Sequence, residues 1–304
     1  MNTVELNKVR KAYDKFIAVD DLSFNIGQGK MFGLLGPNGA GKTSTIRMMI
    51  GITMPDTGNV TMFGKPFERD MLKRVGYLPE ERGLYPKMNV LEQLTFLGEI
   101  HGLSRSDAKT RSQQWGERLE IASAFGKKTQ ELSKGMQQKI QFIATLLHEP
   151  ELIIMDEPAS GLDPSNARLL EDVLNDLRKQ GRTILFSSHR MDQVEKLCDD
   201  ICLINKAKSV LQGNLKEIKA SYGKNTLEIW YAAGETNNAA YLQSMNGVVS
   251  FEDNGTHCRI KLSPGTDTQP FFRAAVEKLK VSKVAIEEPT LEDIFLEKVG
   301  KADA

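Results

Sequence analysis

The chain has 304 residues, 40% of them hydrophobic and 26% charged, enough for one large domain and a smaller one. Forty Lys and Arg balance forty Asp and Glu, so bulk electrostatics give no reason to expect nucleic acid or an anionic membrane surface as a partner. Cys198, Cys202 and Cys258 are too few and too odd in number for a disulfide framework, the opening residues lack the apolar core of a signal peptide, and no apolar run approaches the ~18 residues of a membrane span.

In chain order, "TVELNKV" and "FIAVDDLSFNIG" read as antiparallel strands. "MFGLLG" is a compact apolar strand that runs into "GPNGAGKTSTIRMMIGI", a glycine loop opening a helix. "GNVTMFG" and "RVGYLPEE" read as two further strands. From about Val90 to Lys127 the apolar spacing is helical. The pattern then alternates: strand "ELIIMDEP", helix "SNARLLEDVLNDLRKQG", strand "RTILFSSH", helix "RMDQVEKLC", strand "DICLIN". Strand–helix–strand repeated in this way predicts a mostly parallel sheet. "SYGKN" reads as a boundary. Beyond it, "TLEIWYA", "GVVSFED", "THCRIKL" and "SKVAIEE" are strand-like, and "TQPFFRAAVEKLK" and "LEDIFLEKV" helix-like. The fold class is α/β, with domains at 1–221 and 222–304, a helical subdomain at about 85–135 within the first, and a small α+β second domain.

The residues Gly36, Pro37, Asn38, Gly39, Ala40, Gly41, Lys42 and Thr43, with Ser44 following, fit the phosphate-loop pattern of a glycine-rich turn opening a helix. Its backbone N–H groups face phosphate oxygens, Lys42 reaches the β- and γ-phosphates, and the Thr43 hydroxyl is a ligand for Mg²⁺. Asp156 ends the apolar strand "LIIMD", at the edge of the sheet where ligands of open α/β sheets bind. There it can hold Mg²⁺ through water, and Glu157, next in line, can take a proton from an attacking water. His189 ends "TILFSSH", a strand of the same expected sheet, which points it at a γ-phosphate.

These motifs, together with "LSKGM" (Leu132–Met136) and "SGLD" (Ser160–Asp163), stand in the order and spacing of an ABC transporter ATP-binding subunit. The resemblance covers about Met1 to Lys219. It implies the P-loop NTPase cassette of that family: a mixed sheet core, an antiparallel β subdomain and a helical subdomain. The C-terminal part, ending "PTLEDIFLEKVG", looks like the small appended domain of the sodium- and drug-export branch, which works with separate ABC-2 type permease subunits. The implied cofactors are ATP and Mg²⁺, and the implied place is the cytoplasmic face of the membrane, peripherally bound. Cassettes of this kind form a head-to-tail dimer. The resemblance therefore implies that Ser133 and Gly135 contact the γ-phosphate held by the Lys42 of a second copy, that Asp163 sits at the seam, and that Tyr13 stacks on adenine. Glu80, in "GYLPEERGLYP", stands where the family has glutamine. It is expected to keep the Mg²⁺ contact, and Lys134 and Met136 replace the usual glycine and glutamine of the signature.

Two other classes compete. A nucleic-acid or ribosome-associated ABC ATPase would carry long coiled coils or two cassettes, and neither is present. A regulatory protein without ATPase activity would not need Lys42, Asp156, Glu157 and His189 together. The stretch "ERGLYPKMNVLEQL" puts the apolar Leu84 and Tyr85 in a turn-rich region, where exposed apolar residues suggest a docking groove for the permease.

Overall fold

The computed structural model describes residues 1–81, 83–223, 225–233, 239–263 and 265–300. They fall into two compact units, Met1–Gly213 and Asn214–Ala304. The first unit opens with β1 (Asn2–Tyr13), β2 (Phe16–Gly27), β3 (Met31–Leu35) and α1 (Lys42–Met49). It continues with β4 (Thr57–Met62), the short β5 (Lys65–Pro66) and β6 (Val75–Leu78), then α2 (Val90–Ile100), α3 (Arg105–Arg118) and α4 (Lys134–Leu146). It closes with β7 (Leu152–Asp156), α5 (Pro164–Lys179), β8 (Thr183–Ser188), α6 (Met191–Leu197), β9 (Asp200–Asn205) and β10 (Lys208–Asn214).

Two sheets build this unit. One is antiparallel, in the order β2-β1-β4-β5; the other follows β10-β9-β3-β8-β7-β6, with parallel pairing of β9, β3, β8, β7 and β6. Strands β3, β7 and β8 are buried at every position. That is why their sequences are near-continuous apolar runs: a parallel sheet covered on both faces has no polar side to alternate with. A single apolar cluster joins the two sheets, with Leu6 and Leu22 from the antiparallel sheet, Leu34 and Ile154 from the other, and Ile46 and Met49 of α1. Burying a side chain such as Ile46 contributes about 1.5–3 kcal/mol, so α1 is anchored firmly, and with it the loop before it.

Chain β10 escaped the sequence reading. Its turn from β9, Lys206 and Ala207, has two non-glycine residues at φ 47° and 69°. A two-residue hairpin of that kind normally advertises itself by Asn or Gly, and here it does not.

The second unit begins with α7 (Leu215–Tyr222), capped by Asn214, whose side chain accepts from the N–H groups of Lys216 and Glu217. The two units therefore divide ahead of α7, where the sequence boundary at 221/222 puts that helix with the first. Residue 224, inside the "SYGKN" boundary stretch, lies outside the described residues. Next come β11 (Thr226–Tyr231), α8 (Ala240–Gln243), β12 (Val248–Asp253), β13 (His257–Leu262), α9 (Gln269–Lys278), β14 (Val281–Glu287) and α10 (Leu291–Val299). The sheet order is β12-β13-β11-β14, and neighbouring strands are antiparallel. Leu227 and Ile229 of β11, two apart and so on one face, pack with Phe271 and Ala275 of α9. Arg259 of β13 reaches Asp293 of α10 at 2.6 Å.

Candidate nucleotide site

The loop between β3 and α1 turns on glycines that nothing else could replace. Gly36 has φ 150°, and a Cβ there would meet the Ile204 carbonyl at 2.1 Å; Gly41 has φ 113°, and a Cβ there would meet the Ala18 carbonyl at 2.3 Å. Helix α1 starts at Gly41 with no side-chain cap and no acidic residue in its first turn. Its first N–H groups are thus left for an external anion. Lys42 is 6% exposed and folds back, its Nζ donating to the carbonyls of Gly36 (2.7 Å) and Pro37 (3.2 Å). Burial lowers its pKa, while Glu157, Asp156 and Glu80 pull it up again, Glu157 most strongly. Three carboxylates thus surround one buried cation.

A cleft of about 270 Å³ opens over this loop. Asn38, Gly39, Gly41, Lys42, Thr43, Ser44, Glu80, Asp156 and Glu157 line it, together with Phe16 and Ala18 of β2. Residues separated by more than a hundred positions meet here because β3, β8 and β7 are neighbours in one parallel sheet and all end on the same side. Asp156 is 1% exposed. Its Oδ1 accepts from the Ser187 hydroxyl, and its Oδ2 is buried without a hydrogen-bond partner. Glu157 adopts φ 51°, a left-handed conformation that costs a non-glycine residue about 1–3 kcal/mol. That turn swings its carboxylate back over the sheet, where Oε1 accepts from the backbone N and lies 3.0 Å from the Nδ1 of His189, with the Lys42 Nζ at 3.8 Å. No sequence signal announces this strained backbone, and none announces Ser187, which orients Asp156.

The other expected residues stand apart from the cleft walls. Tyr13, 40% exposed, pairs across the hairpin with Phe16, and it is Phe16 that lines the cleft. Ser133 is exposed and caps α4, accepting from the Met136 N–H at 3.3 Å. Gly135 follows in the first turn of α4. Asp163 caps α5, accepting from the N–H groups of Ser165 and Asn166, and these bonds hold its carboxyl below the usual range. None of these three lines the cleft of its own chain.

Pro79, Gly83 and Leu84, around Glu80, line a separate apolar groove of about 390 Å³. Ile50, Ile52, Leu72, Leu84 and Leu97 line it, with His101, Gln141 and His148 among the polar residues. Leu84 belongs to this groove; Tyr85, 48% exposed, instead packs edge-on against Phe96, with ring centroids 6.0 Å apart. Arg82, within the same stretch, lies outside the described residues.

Residues 19–160 match the family model described as "ABC transporter", and residues 213–299 match "ATP-binding protein DrrA1-3-like, C-terminal domain". The chain is 43% identical over 295 residues to the ABC transporter ATP-binding protein YhaQ of Bacillus subtilis, covering 97% of this chain and 98% of that one. It is 36% identical over 231 residues to the Nod factor export ATP-binding protein I of Paraburkholderia xenovorans, covering 75% and 76%. Among solved structures, an ATP-binding subunit of an ABC transporter superposes with a TM-score of 0.67 at 28% identity, over 73% of this chain and 93% of that one. With this fold, this loop and these relatives, the chain belongs to the ABC transporter ATP-binding proteins, the ATPase subunits that power transport.

Proposed function

We propose that this subunit drives export through separate ABC-2 type permease subunits, by closing head-to-tail on a second copy of itself around two molecules of ATP. The observation that carries the dimer reading is the separation of two half-sites in one chain. Lys42, Asp156 and Glu157 converge in the cleft, while the exposed Ser133 and the half-buried Gly135 present a helix start elsewhere. A Cβ at Gly135 would make only ordinary contacts, 3.8 Å to Asn166 and Leu162, so packing inside the chain does not demand glycine. The bare backbone there suits a group from outside the chain. Export is supported by the relative named for it and by the match of the C-terminal unit.

The roles follow from position. Lys42 and the α1 N-terminus bind the phosphates, and Phe16 lines the side from which a base would enter. Glu157, held by His189, stands ready to take a proton from water aimed at the γ-phosphate, and His189 keeps that carboxylate oriented. The buried, unpartnered Oδ2 of Asp156 beside Thr43 fits a divalent cation. Among the described residues no cluster of three or more His, Cys, Asp or Glu could hold an ion by itself. Magnesium takes one or two protein ligands and keeps phosphate and water for the rest. Bound there by Thr43, Asp156 through water, and Glu80, it would neutralise charge developing on the phosphates.

Among the described residues no helix is long and apolar enough to cross a membrane. The chain acts in this reading from the cytoplasmic face, through the groove beside Leu84. Purification of the chain with its membrane partner in detergent, followed by ATPase assays, tests it. A polytopic permease that co-purifies and raises the ATPase rate is expected; a nucleic acid or ribosome in its place overturns the proposal.

A further inference from the structure

Helix α4, capped by Ser133, carries two buried glutamines three residues apart, Gln138 and Gln141, each 5% exposed. Their spacing puts both amides on one side of the helix. Gln138 donates through Nε2 to the carbonyl of Pro158 at 3.1 Å, the residue after Glu157. Gln141 donates through Nε2 to the carbonyl of Glu81 at 3.0 Å and to that of Pro79 at 3.4 Å. Those are the two residues on either side of Glu80. Two carbonyl oxygens at these distances require the nitrogen end of the amide to face them.

Among the described residues from Pro79 to Pro86 none is in a helix or strand. At the far end of this segment the Oε1 of Gln93 in α2 accepts the N–H of Tyr85 at 2.7 Å. At the end of the same segment the Pro86 carbonyl accepts from the Gln130 N–H at 3.0 Å. Gln141 and Gln93 belong to α4 and α2, while the Glu80 side chain is exposed and lines the nucleotide cleft built on the parallel sheet. Gln141 itself does not line that cleft. It lines the apolar groove, with its Oε1 buried and without a hydrogen-bond partner. One residue therefore lines the groove and grips the Glu80 segment through its amide nitrogen.

We infer that Gln141 is a positioning residue, which sets where Glu80 stands over the nucleotide by gripping the carbonyls on both sides of it. The inference rests on the reading of Glu80 as a magnesium ligand, so its test must separate the two.

The measurement is Mn²⁺ affinity in the presence of ATP, by electron paramagnetic resonance on the purified full chain, alongside the Mg²⁺ concentration for half-maximal ATPase. Gln141→Leu removes the donor at similar volume, and Gln141→Met, whose flexible chain repacks more easily, is the second variant if the first melts early. Either is expected to weaken Mn²⁺ binding about five- to tenfold, the size expected from losing one or two ordinary hydrogen bonds, with ATP affinity in EDTA unchanged. In a Glu80→Ala background the same substitution is expected to add nothing. If Glu80→Ala weakens Mn²⁺ binding but Gln141→Leu and Gln141→Met do not, or if their effects multiply with it, Gln141 acts elsewhere and the inference falls. Unchanged Mn²⁺ affinity in Glu80→Ala removes the reading of Glu80 itself, and the inference with it, a pattern distinct from the other two.

Discussion

The Oε1 of Glu157 and the Nδ1 of His189 lie 3.0 Å apart, and the backbone N–H of His189 reaches the same oxygen at the same distance. A carboxylate only accepts, so the ring must donate from Nδ1, which leaves Nε2 turned away from Glu157. The pair comes from the ends of two adjacent parallel strands, β7 and β8, and from the left-handed turn at Glu157.

In the proposed function Glu157 is the base. Glu157→Gln is expected to lower ATP turnover about 10²–10⁴-fold, the usual cost of losing a general base, while ATP still binds. Turnover and nucleotide binding measured on the same preparation check this. Near-normal hydrolysis would take Glu157 out of the role.

Glu80→Gln is expected to keep ATPase activity within a few-fold, because one oxygen and the side-chain length persist. Glu80→Ala is expected to shift the Mg²⁺ requirement more than the ATP affinity. ATPase titrated with Mg²⁺ in the assembled complex decides it. A loss in Glu80→Gln as deep as in Glu157→Gln would make Glu80 the base instead.

Leu84→Asp is expected to uncouple transport while the melting temperature stays within a few degrees, since Leu84 lines the groove and is only partly buried. Tyr85→Asp is expected to do less, because Tyr85 packs on Phe96 outside that groove. Co-purification with the permease and substrate transport are the readouts. Full assembly and transport in Leu84→Asp would move the docking site elsewhere.

His148 stacks on His101 with centroids 4.0 Å apart, and its Nε2 lies 3.0 Å from the Val75 carbonyl. Burial, then the neighbouring His101, lowers its pKa from 6.5 to about 4, with Arg111 adding to the shift. Burial lowers His101 as well. Above pH 6.5 the ring is neutral folded or unfolded and adds no pH dependence. As pH falls from 6.5 towards 4, the unfolded chain takes up the proton and the folded one resists, so stability drops with pH. Allowing for solvent screening of a partly exposed ring, His148→Phe should remove about 1 kcal/mol of that loss between pH 6.5 and 5. Urea unfolding at pH 7, 6 and 5 checks the slope. Equal slopes in both proteins would show that the ring already titrates normally.

Much of this protein was legible in its residue order. A short apolar run such as "LIIM", too short for a helix and closed by Asp, reads as a strand buried on both faces, and a glycine loop between such a strand and a helix reads as a tight turn, so the parallel core and the phosphate loop were readable locally. The order of the separated motifs carried the family. What tertiary structure alone decided are relations with no local signal. Phe16, not Tyr13, faces the phosphate cleft, because strand β2 at Ala18 lies against Gly41. Ser187 holds Asp156 because β7 and β8 are neighbours. Gln141 reads as one more polar residue in a helix, and only the packing of α4 beside the loop from Pro79 brings its amide to the carbonyls around Glu80. A hydrogen bond across sixty residues leaves no mark on periodicity or composition, since it depends on where two segments come to rest and not on what either prefers to be.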